Sequence, residues 1–142
     1  MNSYELACAI IDLAPAEYEM NNIKLNSMMY LEYVSQLKQG NKLFDDQLTA
    51  AKRCVFIKDV KEHFWPFVVD PIPVSPISEF TDDVKAEAEA IWNKYNHLTQ
   101  EELVKMSCGE GSAWANARKD IENEYLPVPF GDEEIKNSTD FE

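Results

Sequence analysis

Glycine, cysteine, histidine and basic side chains are all scarce in this chain of 142 residues, and each shortage closes off a kind of chemistry. The four glycines, Gly40, Gly109, Gly111 and Gly131, are too few and too scattered to form a phosphate-cradling loop. Cys8, Cys54 and Cys108 are odd in number and far apart, which is neither a disulfide framework nor a paired-thiol zinc pattern. They read as reduced thiols. His63 and His97 have no cysteine or second histidine at ligand spacing, so no metal and no other cofactor is expected. Lysine and arginine total 13 against 26 aspartates and glutamates, a net charge of −13. Such a surface repels duplex phosphates and anionic lipid, so neither direct nucleic-acid binding nor membrane association is expected. No apolar run approaches the roughly 20 residues that span a bilayer. Met1 is followed by Asn-Ser-Tyr-Glu without a basic stretch, so no secretory signal is expected and a cytoplasmic location is.

What is present is core material: 45% apolar residues, with 11% phenylalanine, tryptophan and tyrosine. A single domain of this length buries roughly two-thirds of its unfolded surface and needs no staple. The stretch Asn22 to Gly40 predicts one amphipathic helix, about residues 22–39, with Asn22 as its cap and Gly40 as its stop. Leu25, Met28, Met29, Tyr33 and Leu37 recur at helical steps, and Tyr30, Leu31 and Val34 widen the stripe. A helix apolar over more than half its circumference is expected at the centre. Residues 3–14 predict a first helix capped by Ser3, with Leu6, Ala9, Ile10 and Leu13 inward. Residues 48–53 fit a strand or a helical turn equally. From Ile57 to Phe64 the pattern is helical. Residues 65–78 hold Pro66, Pro71, Pro73 and Pro76, which forbid a helix interior and a central strand. They predict a stiff extended connector, read first as a packed crossover and second as an exposed apolar ribbon for a partner. Thr81 caps a helix to about Asn96, and Thr99 with Glu102 makes a capping box for the next. A short helix at 112–119 points Trp114 inward, and residues 126–130 are extended. The fold class is therefore mainly α: one compact helical domain, residues 1–130, with at most a two- or three-stranded β element. An acidic tail, residues 131–142, is expected to form one turn before fraying.

Catalytic patterns are weak. Asp45-Asp46 and Glu101-Glu102 read as turn and helix-start residues, not as carboxylates facing each other across a cleft. Cys54 or Cys108 would need a base, and nothing local supplies His63 or His97 to them. No catalytic residue is assigned, and an enzyme is not expected. The charge is uneven: residues 1–70 carry 7 basic and 10 acidic side chains, and residues 71–142 carry 6 and 16. This reads as solubility, or as a surface that meets a basic protein or imitates nucleic acid.

Three stretches, in order, resemble the Panacea domain family, which includes SocA-type antitoxins, proteolytic adaptors and phage-associated proteins. IKLNSMMYLEYVSQLKQGNKLFDDQLTAAK is similar to the family's Lys-Leu-x-x-Leu-x-Tyr helix and the segment after it; Lys24, Leu25 and Tyr30 fall on motif positions. AAKRCVFIKDVKEHF occupies the place of Trp-x-x-Gly-Pro-Val-x-x-x-Val; Val60 fits, while Ala51 and Cys54-Val55 replace the tryptophan and the Gly-Pro. LTQEELVKMSCGEGSAWANARK resembles the third motif through Leu98, Glu102, Leu103, Trp114 and Ala117, with Ser107-Cys108 in place of Thr-His. The resemblance covers about residues 3–120.

The resemblance implies a non-enzymatic module that binds a toxin, as an antitoxin, or hands a protein to a protease, as an adaptor. The alternative is a phage-encoded inhibitor of a host immune protein or nuclease. A second copy of the chain is also admitted as a partner. Candidate contacts are Trp65, Phe67 and Asp70 in the proline stretch and Glu133 and Glu134 in the acidic one.

Overall fold

A computed structural model describes residues 1–142 and places α2, Asn22–Lys38, at the middle of the protein. Twelve of its 17 residues are buried, more than one amphipathic stripe, and α1, α3, α4, α5 and the sheet all touch it. It ends as its sequence predicts. Gly40 takes φ +81°, its N–H meets the Leu37 carbonyl, and the Asn41 N–H meets that of Gln36. This pair of bonds satisfies carbonyls that the helix end would leave open.

The caps predicted for α1 and α2 are each displaced by one residue. Asn21, not Asn22, caps α2 by accepting from the Lys24 N–H at 2.9 Å. Asn2, not Ser3, caps α1, Ser3–Leu13, by accepting from the Glu5 N–H. The expected capping side chains are diverted to partners distant in sequence. Ser3 donates to the Asp46 carboxylate at 2.7 Å. Asn22 is fully buried, donates to the Lys61 carbonyl at 3.3 Å and accepts from Asn26.

α1 packs chiefly against α4, Asp82–Tyr95, which buries Val84, Ala88, Ile91 and Tyr95 and is capped by Thr81. α5, Gln100–Ser107, carries the expected capping box and lies on α2. The ambiguous stretch at 48–53 resolves into strand β1, Leu48–Ala50, followed by a turn into β2, Val55–Ile57. With β3, Val128–Phe130, they make an antiparallel sheet in the order β2-β1-β3. Leu48 sits opposite Ile57 on one side and Phe130 on the other, and all three are buried. Pro129 is tolerated because β3 is an edge strand. α3, Lys58–His63, continues directly from β2 and turns Val60 inward. α6, Ala113–Arg118, supports the sheet from outside: Trp114 Nε1 donates to the Ala51 carbonyl at 2.7 Å. Arg118 donates to the carbonyls of Ala50, Glu124 and Leu126, stapling the loop after α6 to β1.

The proline stretch is less extended than its composition predicts. Trp65–Phe67 form a 3-10 turn with proline at its start, where the missing N–H costs nothing. Only Ile72 is buried, and its N–H binds the Met20 carbonyl. Trp65, Val69 and Val74 remain exposed, so the segment runs over the surface.

Asn26 joins helix and sheet. Its Oδ1 accepts from the Ile57 N–H at 2.8 Å, and its Nδ2 donates to both oxygens of Asn22. Asn26→Ala is expected to lower stability by about 1–3 kcal/mol, because it strands a buried N–H. A urea titration checks this through a lower midpoint at unchanged slope.

A second expectation concerns α2 and α4, which are bridged by Lys94 to Glu32 at 3.0 Å and by Gln36 to Glu87. Burial, and then the Glu32 charge, raise the Glu87 carboxyl above its ordinary value. A raised acid costs nothing at a pH below the unfolded value, where both states are protonated. Its cost develops as pH rises from there through the folded value. Glu87→Gln should therefore raise the melting temperature at pH 7 and give no gain below about pH 4.

Candidate partner-binding surface

Residues 131–142 do not fray. α7, Asp132–Lys136, packs against α6, and a 3-10 turn, Thr139–Phe141, folds back onto α2. Ile135 is fully buried. Two α2 tyrosines dictate this closure. A buried tyrosine ring needs an acceptor for its hydroxyl. Tyr33 donates to Asp132, and Tyr30 donates to Asp140 at 3.1 Å. Burial, reinforced by these carboxylates, pushes both phenols well above the ordinary tyrosine range. Asp140 also accepts from the Ala113 N–H at 3.0 Å, at the start of α6. The Thr139 N–H binds the Gly111 carbonyl. Gly111 has φ +82°, and a Cβ there would lie 2.7 Å from the Thr139 methyl, so glycine is required twice over.

With α7 docked, the Asp45-Asp46 loop and the acidic turn of α7 face one cleft of about 570 Å³. Asp45, Asp46, Asp132, Glu133 and Glu134 line it, against Lys42 alone of the basic residues. Three of the five carboxylates have structural work. Asp46 accepts from Ser3 and from the Asp59 N–H at 3.1 Å in the first turn of α3. Asp132 holds Tyr33 and lies 3.5 Å from Lys42. Glu134 accepts from the Gly131 N–H at 3.0 Å, closing the start of α7. The Asp45 side chain is 95% exposed with Lys42 at 3.8 Å, and Glu133 is exposed with no hydrogen bond or ion pair to its carboxylate. Asp45 and Glu133 are the carboxylates free to meet another molecule. Glu133 is among the contacts the sequence suggests, whereas Asp45 reads there as a turn residue; only the fold brings the two acidic pairs together.

The other candidate contacts lie apart from this cleft. Trp65 is 56% exposed, with the Lys61 ammonium 5.3 Å from its ring, and Asp70 is exposed. Phe67 is half-buried against the core. The apolar positions that carry the family resemblance serve the interior, while Lys24 and Glu102 lie nearer the surface. Leu25, Tyr30, Val60 and Leu103 are buried in the core cluster, and Leu98 packs against it. Lys24 sits over the Tyr18 ring at 4.7 Å. Glu102 closes the capping box, and its hydrogen bond to the Thr99 N–H holds its carboxyl below the usual range. Ser107 donates to the Leu103 carbonyl at 3.1 Å. Burial pushes the Cys108 thiol up to about 11 and the Cys54 thiol up to about 12. His63 stacks on Tyr4 at 4.0 Å, with Nδ1 at 2.7 Å from the Asp59 carbonyl.

Asp140→Ala removes the acceptor from Tyr30 and Ala113 together. It should cost about 1–3 kcal/mol for the stranded donors. Amide exchange should speed up first at Thr139 and Phe141, well before the core amides of α2. Compared with known proteins, no family model matches this chain, and neither does any curated protein or solved structure.

Proposed function

We propose that this chain is a non-enzymatic protein-binding module, an antitoxin or proteolytic adaptor of the Panacea kind. Its acidic cleft receives a basic segment of a partner protein. The observation that carries the reading is the convergence of two acidic pairs, distant in sequence, on one cleft with a single lysine. The walls are already in place without a partner, with Asp132 bonded to Tyr33 and Glu134 to the Gly131 N–H. A preformed cleft of one sign raises the encounter rate with the opposite sign and disfavours like-charged competitors. Trp65 offers a second contact of the type that anchors interfaces, a large aromatic side chain held outside the core. The Panacea resemblance supports the antitoxin or adaptor role, and the chain's acidity is compatible with the inhibitor alternative.

The test couples capture to charge. The chain is used to recover binding proteins from its own host, with and without the products of neighbouring genes. Each recovered protein is then measured against variants. Asp45→Lys with Glu133→Lys should slow association about tenfold or more at low ionic strength and much less at high salt. Trp65→Ala should mainly speed dissociation. An association rate indifferent to the double reversal at low salt would remove the cleft from the account. A host nuclease in place of a toxin or protease would move the reading to an inhibitor.

A further inference from the structure

A different recess opens where the second half of α2 meets the ends of α4 and α5 and the last 3-10 turn. Its volume is about 410 Å³, within the usual range of small-molecule sites. It shares no lining residue with the acidic cleft. Its lining is of two kinds. Leu31, Val34 and the ring of Tyr95 supply apolar surface, and Met106 of α5 adds a flexible thioether that is 52% exposed. Lys38 and Lys94 supply two ammonium groups to the same recess.

Both amines are held in place. Lys94 donates to the Glu32 carboxylate at 3.0 Å and lies 3.4 Å from the Ser35 hydroxyl. Burial works against its charge, but the bond to Glu32, the neighbouring Tyr95 and the Glu32 charge together outweigh this, so its proton is held above the usual lysine range. Lys38 donates to the main-chain oxygen of Glu142 at 3.0 Å. An ammonium carries three donors, so each keeps capacity for a further acceptor. Asp140, the carboxylate of the lining, is engaged by Tyr30 and the Ala113 N–H. In a chain of net charge −13, this recess sets two amines and an apolar wall against one lining carboxylate, Asp140, with Glu32 paired to Lys94.

The geometry points to a binding site for a small organic anion with an apolar body, its acid group between Lys38 and Lys94 and its body against Met106, Leu31 and Val34. The inference is independent of the partner-binding reading.

Two dyes with the same apolar body test it: 8-anilinonaphthalene-1-sulfonate, which carries the anion, and N-phenyl-1-naphthylamine, which lacks it. Methyl-labelled methionine reports the place of binding. The sulfonate should bind the folded chain at one site and shift the Met106 methyl, leaving the buried Met20 methyl unmoved. Lys38→Gln should weaken the sulfonate about fivefold and leave the neutral dye unchanged, as expected for one partly solvated charge pair. Met106→Glu, at a half-exposed position that leaves the urea midpoint unchanged, should weaken the sulfonate tenfold or more. Lys94 is left intact, because its loss would strand the buried Glu32. Equal affinity for the two dyes, an unmoved Met106 methyl, or sulfonate binding indifferent to both substitutions would each overturn the site.

Discussion

Asn26 has no contact with water, so each of its polar atoms must find a partner inside the protein or cost free energy. Its oxygen takes the Ile57 N–H and its amide nitrogen takes Asn22, which in turn reaches the Lys61 carbonyl. Through these bonds one turn of α2 grips the end of β2 and the body of α3. The strands are three residues long and could not stand alone. Their position follows from this grip and from the side chains of Leu48, Val55, Ile57 and Phe130, which enter the same core as α2. The helical layer is therefore the template, and the sheet is assembled on it.

Acidic residues do two kinds of work here. Asp46, Asp132, Glu134 and Asp140 accept hydrogen bonds from a serine, two tyrosines and main-chain N–H groups, so they act as internal connectors. Asp45 and Glu133 have no such duty and stay at the surface. The division explains how a chain of −13 closes an acidic segment over its own core: the charges nearest the core are met by donors, and the rest face water. It also sets which substitutions report on binding and which report on folding.

Periodicity carried the helices well because each is stabilised by a face that its own residues write out, as in Leu25, Met28, Met29, Tyr33 and Leu37 of α2 or Val84, Ala88 and Ile91 of α4. Features that depend on distant partners were illegible. Asn22 and Ser3 looked like caps because a cap is a local motif, while their real partners, Lys61 and Asp46, are 39 and 43 residues away. The pairing of Leu48 with Phe130 leaves no trace in either three-residue strand. The acidic composition of residues 131–142 hid their anchoring, which rests on Ile135 and on two tyrosines more than 90 residues upstream. Asp45 was missed for the same reason: half of its cleft is supplied by α7.

The C-terminal segment is the wall that the cleft and the recess have in common. α7 bounds the acidic cleft, and Thr139 and Asp140 bound the recess. Tyr33 and Tyr30, three positions apart on α2, fasten the segment at these two places. Undocking the segment would remove a side from both at once. A molecule that bound either proposed site and touched the docked segment would favour the conformation that the other requires, since any ligand selective for one state shifts the population toward it. The sign of that coupling would follow from shared structure and not from charge. A segment held by few buried contacts and several solvent-near hydrogen bonds is also the part of a fold whose local opening costs least. The tyrosine–carboxylate bonds therefore set how firmly both surfaces are presented, although neither tyrosine hydroxyl needs to touch a ligand.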